Sequence, residues 1–430
     1  METHAEPRLH RWLDRPLLGV AVIVAAAGFA QFGPTAVLAD VAREFGELRN
    51  GDTIAEQAGL PGSVLGAGLA AIRLAAMAAL VLTGLADIFG RRRTMLACVS
   101  LGLAVAVVAA GSPTFWWFVV AFVVARPLLT ATSALGQVVA AEHTGVSDRA
   151  KALAFVAAAF GVGSGSVAVL RGIFSDLGFR AVFALAAVPL VLVWVAARLV
   201  AEPDRYQTRV RSGIPVVPVL GAIHRGRRGR LAVMAALGFT SGLVIGPINT
   251  FLFLYAENIV GVSKALTGAL AVLAAPVGLA GLLLGRYLAD HVGRRVAGAA
   301  ALVAFAAMGP LTYSGSISAL VVGYLLGIMA GAAYGTPASA LANELFPTSS
   351  RASVAGWMTL SGVLGSTAGL LLVGAIADAT GSFGRAMAAV AVPTALSALL
   401  VVLLPETRGI ELEQSAPEKA DQAPAPIAGI

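Results

Sequence analysis

The sequence predicts an all-α membrane protein of twelve transmembrane helices in two pseudo-symmetric six-helix bundles, and three observations carry that prediction. First, 58% of the 430 residues are hydrophobic and only 12% are charged, with a mean hydropathy of +0.85. That is more apolar surface than a water-soluble globule can bury. Second, the chain runs through apolar stretches rich in Ala, Val, Leu and Gly. Their length suits helices crossing about 30 Å of hydrocarbon, not the ten-residue alternation of a barrel. Third, a charged signature is written twice between long apolar runs: Leu85-Ala86-Asp87-Ile88-Phe89-Gly90-Arg91-Arg92 and Leu288-Ala289-Asp290-His291-Val292-Gly293-Arg294-Arg295, offset by 203 (290 − 87). Glu142 with Arg149 recurs as Glu344 with Arg351, each offset by 202 (344 − 142). Two unrelated patterns repeating at nearly one interval indicate a duplicated half.

Apolar runs bounded by charges or turn residues place the spans at 17–40, 60–86, 94–112, 115–141, 149–173, 179–199, 229–256, 265–289, 296–313, 317–343, 352–377 and 383–404. They define a six-helix bundle over 17–199 and a second over 229–404. The N-terminal tail, 1–16, is polar, and the apolar run after it is too long for a signal-peptide core, so the first helix is expected to be retained. An even number of crossings puts both termini on one side. Of the thirty Lys and Arg residues, twenty-two flank the termini and the even-to-odd connections, six flank the other connections, and Arg73 and Arg126 lie inside spans. The positive-inside rule makes both termini cytoplasmic, with the plasma membrane as the expected location.

The linker 200–228 is strongly basic: from Arg198 to Arg230 eight Arg face only Glu202 and Asp204. Without aromatic interleaving or an attached fold it reads as a segment lying on anionic headgroups, not as a nucleic-acid site. The tail 405–430, rich in Ala, Pro and Glu, is expected to be disordered. Glycines at four-residue intervals (Gly238, Gly242 and Gly246; Gly323 to Gly335; Gly161 with Gly165) predict close helix contacts, rocking or static. Pro34, Pro127, Pro247, Pro276 and Pro337 predict kinks facing protein or cavity water. The lone Cys98 precludes an intrachain disulfide, and the five histidines fall in tails or loops, so no metal or cofactor is expected.

The signatures at Asp87 and Asp290 resemble the cytoplasmic loop motif of the major facilitator superfamily, Gly-x-Leu-Ala-Asp-Arg-x-Gly-Arg-Arg. The leading Gly is here Thr83, or Arg286 in the copy, and the Arg after the Asp is Ile88, or His291 in the copy. The resemblance covers Leu17 to Pro405 and implies alternating access by two rocking halves. It also implies a cytoplasmic gate of Asp87, Gly90, Arg91, Arg92, Glu142 and Arg149, mirrored by Asp290, Gly293, Arg294, Arg295, Glu344 and Arg351. Arg91 or Arg92 is expected to reach Glu142, and Arg294 or Arg295 to reach Glu344. Asp87 would face the start of span eleven near Thr348 and Ser349, and Asp290 that of span five near Ser147 and Asp148. A plain topology anchor is the alternative.

Glu344-Leu345-Phe346-Pro347-Thr348 with Arg351, and Pro405-Glu406-Thr407-Arg408-Gly409, resemble the sugar-porter and metabolite:proton symporter branches. The Gly-Pro-x-x-Gly-Gly pattern of drug:proton antiporters is absent, since span five reads Gly161-Val162-Gly163-Ser164-Gly165-Ser166. Arg126 stands where sugar porters carry a Gly-Arg pair that tunes a proton-carrying Asp in span one, but Pro34 takes the place of that Asp. An Arg near the bilayer centre costs at least about 2.5–3.5 kcal/mol, so Arg73 and Arg126 imply a partner, a wet cavity, or both. They are candidates for an anionic substrate, with backbone carbonyls or Asp40 as structural alternatives. Gln31, Asp40, Asn249, Tyr255, Tyr334 and Trp357 complete the candidate substrate or coupling set. Asp40, Glu257 and Asp378 are the candidate proton carriers.

The expected protein is a monomeric, non-enzymatic secondary transporter of a small polar organic metabolite, an organic anion or sugar-like solute, coupled to protons by symport. A multidrug or metabolite exporter and a non-transporting membrane sensor are the alternatives.

Overall fold

A computed structural model describes residues 14–145, 148–174, 178–200, 221, 223–347 and 350–408. The polar N-terminal tail before residue 14, most of the basic linker, the tail from Gly409, and Ser147, Thr348 and Ser349 lie outside the described residues, as does the side chain of Asp87.

Twelve helices among the described residues are long and apolar enough to cross a membrane. They are α1 (Arg15–Ala36), α2 (Gly62–Ala86), α3 (Arg91–Ala109), α4 (Phe115–His143), α5 (Arg149–Ile173), α6 (Phe179–Ala196), α7 (Arg225–Thr250), α8 (Lys264–His291), α9 (Arg294–Thr312), α10 (Ile317–Glu344), α11 (Ser353–Thr380) and α12 (Phe383–Leu403). No strand occurs among the described residues. Each predicted run overlaps one of them, and the differences lie at the ends. The first run divides at Val37, after which Leu38–Phe45 forms a short amphipathic helix whose polar residues include Asp40, Arg43 and Glu44. The seventh ends at Thr250, one turn past Pro247, and continues as a π-helical turn, Tyr255–Ile259. The Tyr313 hydroxyl donates to the Ile248 carbonyl at 2.9 Å beside that break, meeting an acceptor that the interrupted helix leaves over.

The chain falls into two compact units, one of residues 1–37 with 75–216 and the other of 38–74 with 217–430. The boundary in α2 falls beside a 3-10 turn, Ala76–Ala78.

In the first unit α1 packs along α5 and α4, and α3 along α4. A Cβ at Gly163 would stand 1.9 Å from the Ala25 carbonyl oxygen, so only glycine permits the α1–α5 approach. The glycines of the sequence row, Gly161 and Gly165, face open space instead. Phe118, Phe122, Phe179 and Phe183 form a buried aromatic cluster joining α4 to α6.

In the second unit the same pairing recurs, α7 with α11 and α9 with α10. Gly365 abuts the Phe239 carbonyl and Gly369 the Leu243 carbonyl, so α7 and α11 touch backbone to backbone. The repeat read in the charged motifs is thus also a repeat of helix partners.

Candidate functional site

Three groups of candidate residues can be built up from their positions on these helices. The first is the pair of charged motifs. Gly90 and Gly293 hold φ of 99° and 120°, the left-handed region that a side chain resists, and each turns the chain sharply from one helix into the next. In the first unit this places Arg91 on α3 against Glu142 at the end of α4, as an ion pair with side chains 8% and 18% exposed. Arg92 points elsewhere: its Nε donates to the Val200 carbonyl at 2.6 Å and its Nη2 to that of Ala197 at 2.9 Å, covering the C-terminal end of α6. Arg149 begins α5 half-buried.

In the second unit Arg294 on α9 contacts Glu344 at the end of α10, with Nε and Nη2 each 3.3 Å from a carboxylate oxygen. Arg295 donates from Nη2 to the Val402 carbonyl at 2.7 Å, the counterpart of Arg92 on α6. Asp290 lies 3.8 Å from both Arg286 and Arg294. Arg351 donates from Nε to the carbonyls of Asn343 and Phe346.

Glu406 and Thr407, from the Pro405-Glu406-Thr407-Arg408-Gly409 stretch, complete the second cluster. The Thr407 hydroxyl donates to Glu344, and the Glu406 carboxylate accepts the N–H groups of Arg294 and Arg295 at 3.0 and 3.1 Å, capping α9. Partial burial works to raise the Glu406 pKa, but four backbone N–H donors outweigh it and hold the carboxyl below its ordinary value.

The second group surrounds Gln31 in the first unit. Its side-chain amide donates 2.9 Å bonds to the Leu129 carbonyl and the Ser133 hydroxyl, and its own carbonyl accepts from Arg126 Nη1 at 3.0 Å. Arg126 therefore bonds main chain close to the Pro34 position, and the four polar residues Gln31, Arg126, Thr130 and Ser133 stand together in the α1–α4 contact.

The third group belongs to the second unit and centres on Arg73. Gly62 and Gly66 of α2 lie against the backbone of α11 at Gly374 and Leu370, and the same face leads one further turn pair to Arg73, whose Nε donates to the Ser366 hydroxyl at 3.0 Å. Ser366 is 2% exposed and also touches Gly242 and Gly246 of α7. Neither terminal nitrogen of Arg73 has a protein partner among the described residues.

The remaining candidates separate. Asn249 is half-buried and spends an amide N–H on the Ile245 carbonyl of its own helix. Tyr255 is buried in an aromatic cluster with Tyr313 and Phe383. Tyr334 sits in an apolar core with Leu237 and Leu341, and Trp357 donates its indole N–H to the Gly221 carbonyl. Asp40 pairs with Lys264, Glu257 accepts from the Thr267 hydroxyl, and Asp378 accepts the N–H groups of Gly62 and Ser63. Sequence reasoning missed Ser366 and Lys264. A lone serine in an apolar helix carries no signal, whereas the one lysine between Arg230 and Arg286, just after the N-cap Ser263, was a readable one.

Comparison with known proteins places this geometry. The family profile described as Major Facilitator Superfamily matches residues 18–309 and 260–429. The chain belongs to the major facilitator superfamily. Among solved structures it is similar to the xylose transporter XylE from E. coli in its inward-open conformation, at 17% identity over 93% of this chain and 98% of that one, with a TM-score of 0.71. It is also similar to a mutant of the nucleoside transporter NupG, at 12% identity over 90% and 99% of the two chains, with a TM-score of 0.73. A bacterial homolog of the human lysosomal transporter Spinster, inward-facing and occupied, gives 16% identity, 90% and 95% coverage and a TM-score of 0.69. No curated protein matches the chain. This member of the superfamily is a multi-pass membrane transporter, and identities this low convey its fold and not its cargo.

Proposed function

We propose that this transporter moves a small polar organic metabolite bearing an anionic group, an organic acid or a sugar-like solute with a charged substituent, by alternating access coupled to proton symport. The observation that carries the reading is the state of Arg73. Its Nε is tied to Ser366 and its two terminal nitrogens are left without protein partners among the described residues, on a helix deep in the apolar part of the chain. A guanidinium so held presents a planar fork, the geometry that binds carboxylate or phosphate with two parallel bonds. The burial cost of an intramembrane arginine is offset when such a ligand arrives.

Proton coupling rests on the buried carboxylates. Glu257 is 5% exposed and bonded to Thr267, and Asp40 is 8% exposed beside Lys264, so both are the candidate proton carriers of this reading. The family's proton:xylose symporter XylE is a structural relative of this chain. Both termini on the cytoplasmic side of the plasma membrane, and a monomer as the working unit, belong to the same reading.

The test is uptake by reconstituted protein. Purified protein is first screened for ligands that raise its thermal stability among organic acids, sugars and sugar phosphates, since a binder stabilises by mass action. The best hit is then followed into proteoliposomes. The expected result is uptake stimulated by an inward proton gradient and reduced about ten- to hundredfold in Arg73→Ala, the loss of one charged hydrogen-bonded contact of about 1.5–3 kcal/mol. Unchanged uptake in Arg73→Ala at equal reconstitution overturns the anion assignment. Uptake indifferent to a protonophore overturns the coupling.

A further inference from the structure

The second unit carries a groove that the transport reading leaves unused. It lies between α9 and α12 at the end of these helices that bears Arg294 and Arg295, and encloses ≈ 800 Å³. Its walls are two matching helix faces, Val296, Ala300 and Val303 on one side and Ala395, Leu399 and Val402 on the other. Alanines at the facing positions hold it open, and the flanking Val296, Val303, Leu399 and Val402 are 44–69% exposed. These residues belong to membrane-crossing segments, so the groove opens onto hydrocarbon and not onto water.

The polar end of the groove is charged. Arg295 lies at its mouth, half-buried, with one N–H donated to the Val402 carbonyl and its other guanidinium donors without a protein partner among the described residues. Glu406 also lines the mouth, but its carboxylate is occupied by the backbone N–H groups of Arg294, Arg295, Thr407 and Arg408. Arg295 therefore offers cationic donors above an apolar slot, beside a carboxylate whose acceptors are engaged by backbone N–H groups, a pattern complementary to a phosphate joined to acyl chains.

We infer that the α9–α12 groove is a binding site for one anionic glycerophospholipid, with its phosphate on Arg295 and an acyl chain between Ala300 and Ala395. The site is separate from Arg73 and does not depend on what the protein carries.

Native mass spectrometry of the full-length protein in mild detergent tests this, together with thermal unfolding of delipidated protein titrated with mixed micelles of phosphatidylglycerol or phosphatidylcholine. Phosphatidylglycerol is expected to remain bound and to raise the unfolding temperature, with phosphatidylcholine, inorganic phosphate and glycerol 3-phosphate giving no such shift. Arg295→Gln is expected to weaken phosphatidylglycerol binding about tenfold or more, the loss of a charged contact. Ala300→Phe fills the slot while leaving the Arg295–Val402 bond in place, and is expected to abolish the shift even if Arg295→Gln folds poorly. Equal binding of the two lipids, a shift produced by inorganic phosphate alone, or wild-type lipid binding in Ala300→Phe overturns the site.

Discussion

Lys264 Nζ lies 2.9 Å from Asp40 Oδ1, joining the first turn of α8 to the short helix Leu38–Phe45 across more than two hundred residues of sequence. Their side chains are 14% and 7% exposed, and bonds to main chain lie nearby: Arg43 donates to the Glu257 carbonyl at 3.3 Å, and Asn258 to the carbonyls of Ala39 and Ala58 at 3.2 and 3.0 Å. All of these groups belong to one compact unit.

Breaking a buried ion pair from one side costs about 3–5 kcal/mol, whereas replacing both partners costs far less. Lys264→Met is therefore expected to lower the unfolding temperature of the purified protein sharply, and Asp40→Asn combined with Lys264→Met to restore most of it. A double variant as unstable as the sum of the single ones refutes the coupling.

Asp378 accepts from the Gly62 N–H at 2.6 Å and the Ser63 N–H at 2.8 Å, acting as a cap for α2 supplied by α11. Beside it a Cβ on Gly374 would stand 2.2 Å from the Gly62 carbonyl oxygen. Loss of a helix cap costs about 0.5–2 kcal/mol, so Asp378→Ala is expected to destabilise modestly and Asp378→Asn, which still accepts a hydrogen bond, by less. Gly374→Ala is expected to exceed both because the helices must separate. Equal unfolding temperatures for Gly374→Ala and wild type contradict the close approach.

The fold was legible because its determinants are local and periodic: span lengths and the duplicated Asp–Gly–Arg–Arg signature need no knowledge of what lies across the bundle. The candidate residues that stand out in the sequence are those where charge meets an apolar background, as at Arg73 and Arg126. Ser366 escaped notice because its role comes from α7 and α11 converging on it, a tertiary fact with no one-dimensional pattern. Tyr255 and Tyr334 show the reverse case. Aromatic residues with a polar tip suit a binding pocket on paper, yet at these positions they fill aromatic and aliphatic cores.

Arg91 with Glu142, and Arg294 with Glu344, occupy equivalent places in the two units, but among the described residues only the second carboxylate also accepts from a threonine, Thr407. Glu344→Gln therefore removes the charge from a carboxylate that Thr407 also reaches, and Glu142→Gln from one that it does not. The expectation is that Thr407→Val changes the effect of Glu344→Gln by about 0.5–1.5 kcal/mol in a double-mutant cycle, the net worth of one hydrogen bond, while leaving the effect of Glu142→Gln unaltered. Unfolding of wild type and the five variants, three single and two double, in one detergent measures both cycles. Coupling of Thr407 to Glu142 instead rules out the local network.

Glu406 gives a pH dependence with a definite sign. Burial raises its pKa and the four backbone donors lower it by more, so the folded value lies below the ordinary 4.5. A carboxyl with a depressed folded pKa adds stability that is complete above its unfolded pKa and is lost as pH falls through the folded one. Wild type is therefore expected to exceed Glu406→Gln in unfolding temperature by a constant margin from pH 7 to about pH 5, and the margin to shrink as the pH is lowered below about 4.5. A margin that widens on acidification, or is absent at pH 7, means that Glu406 does not hold the N-terminal end of α9 in its ionised form.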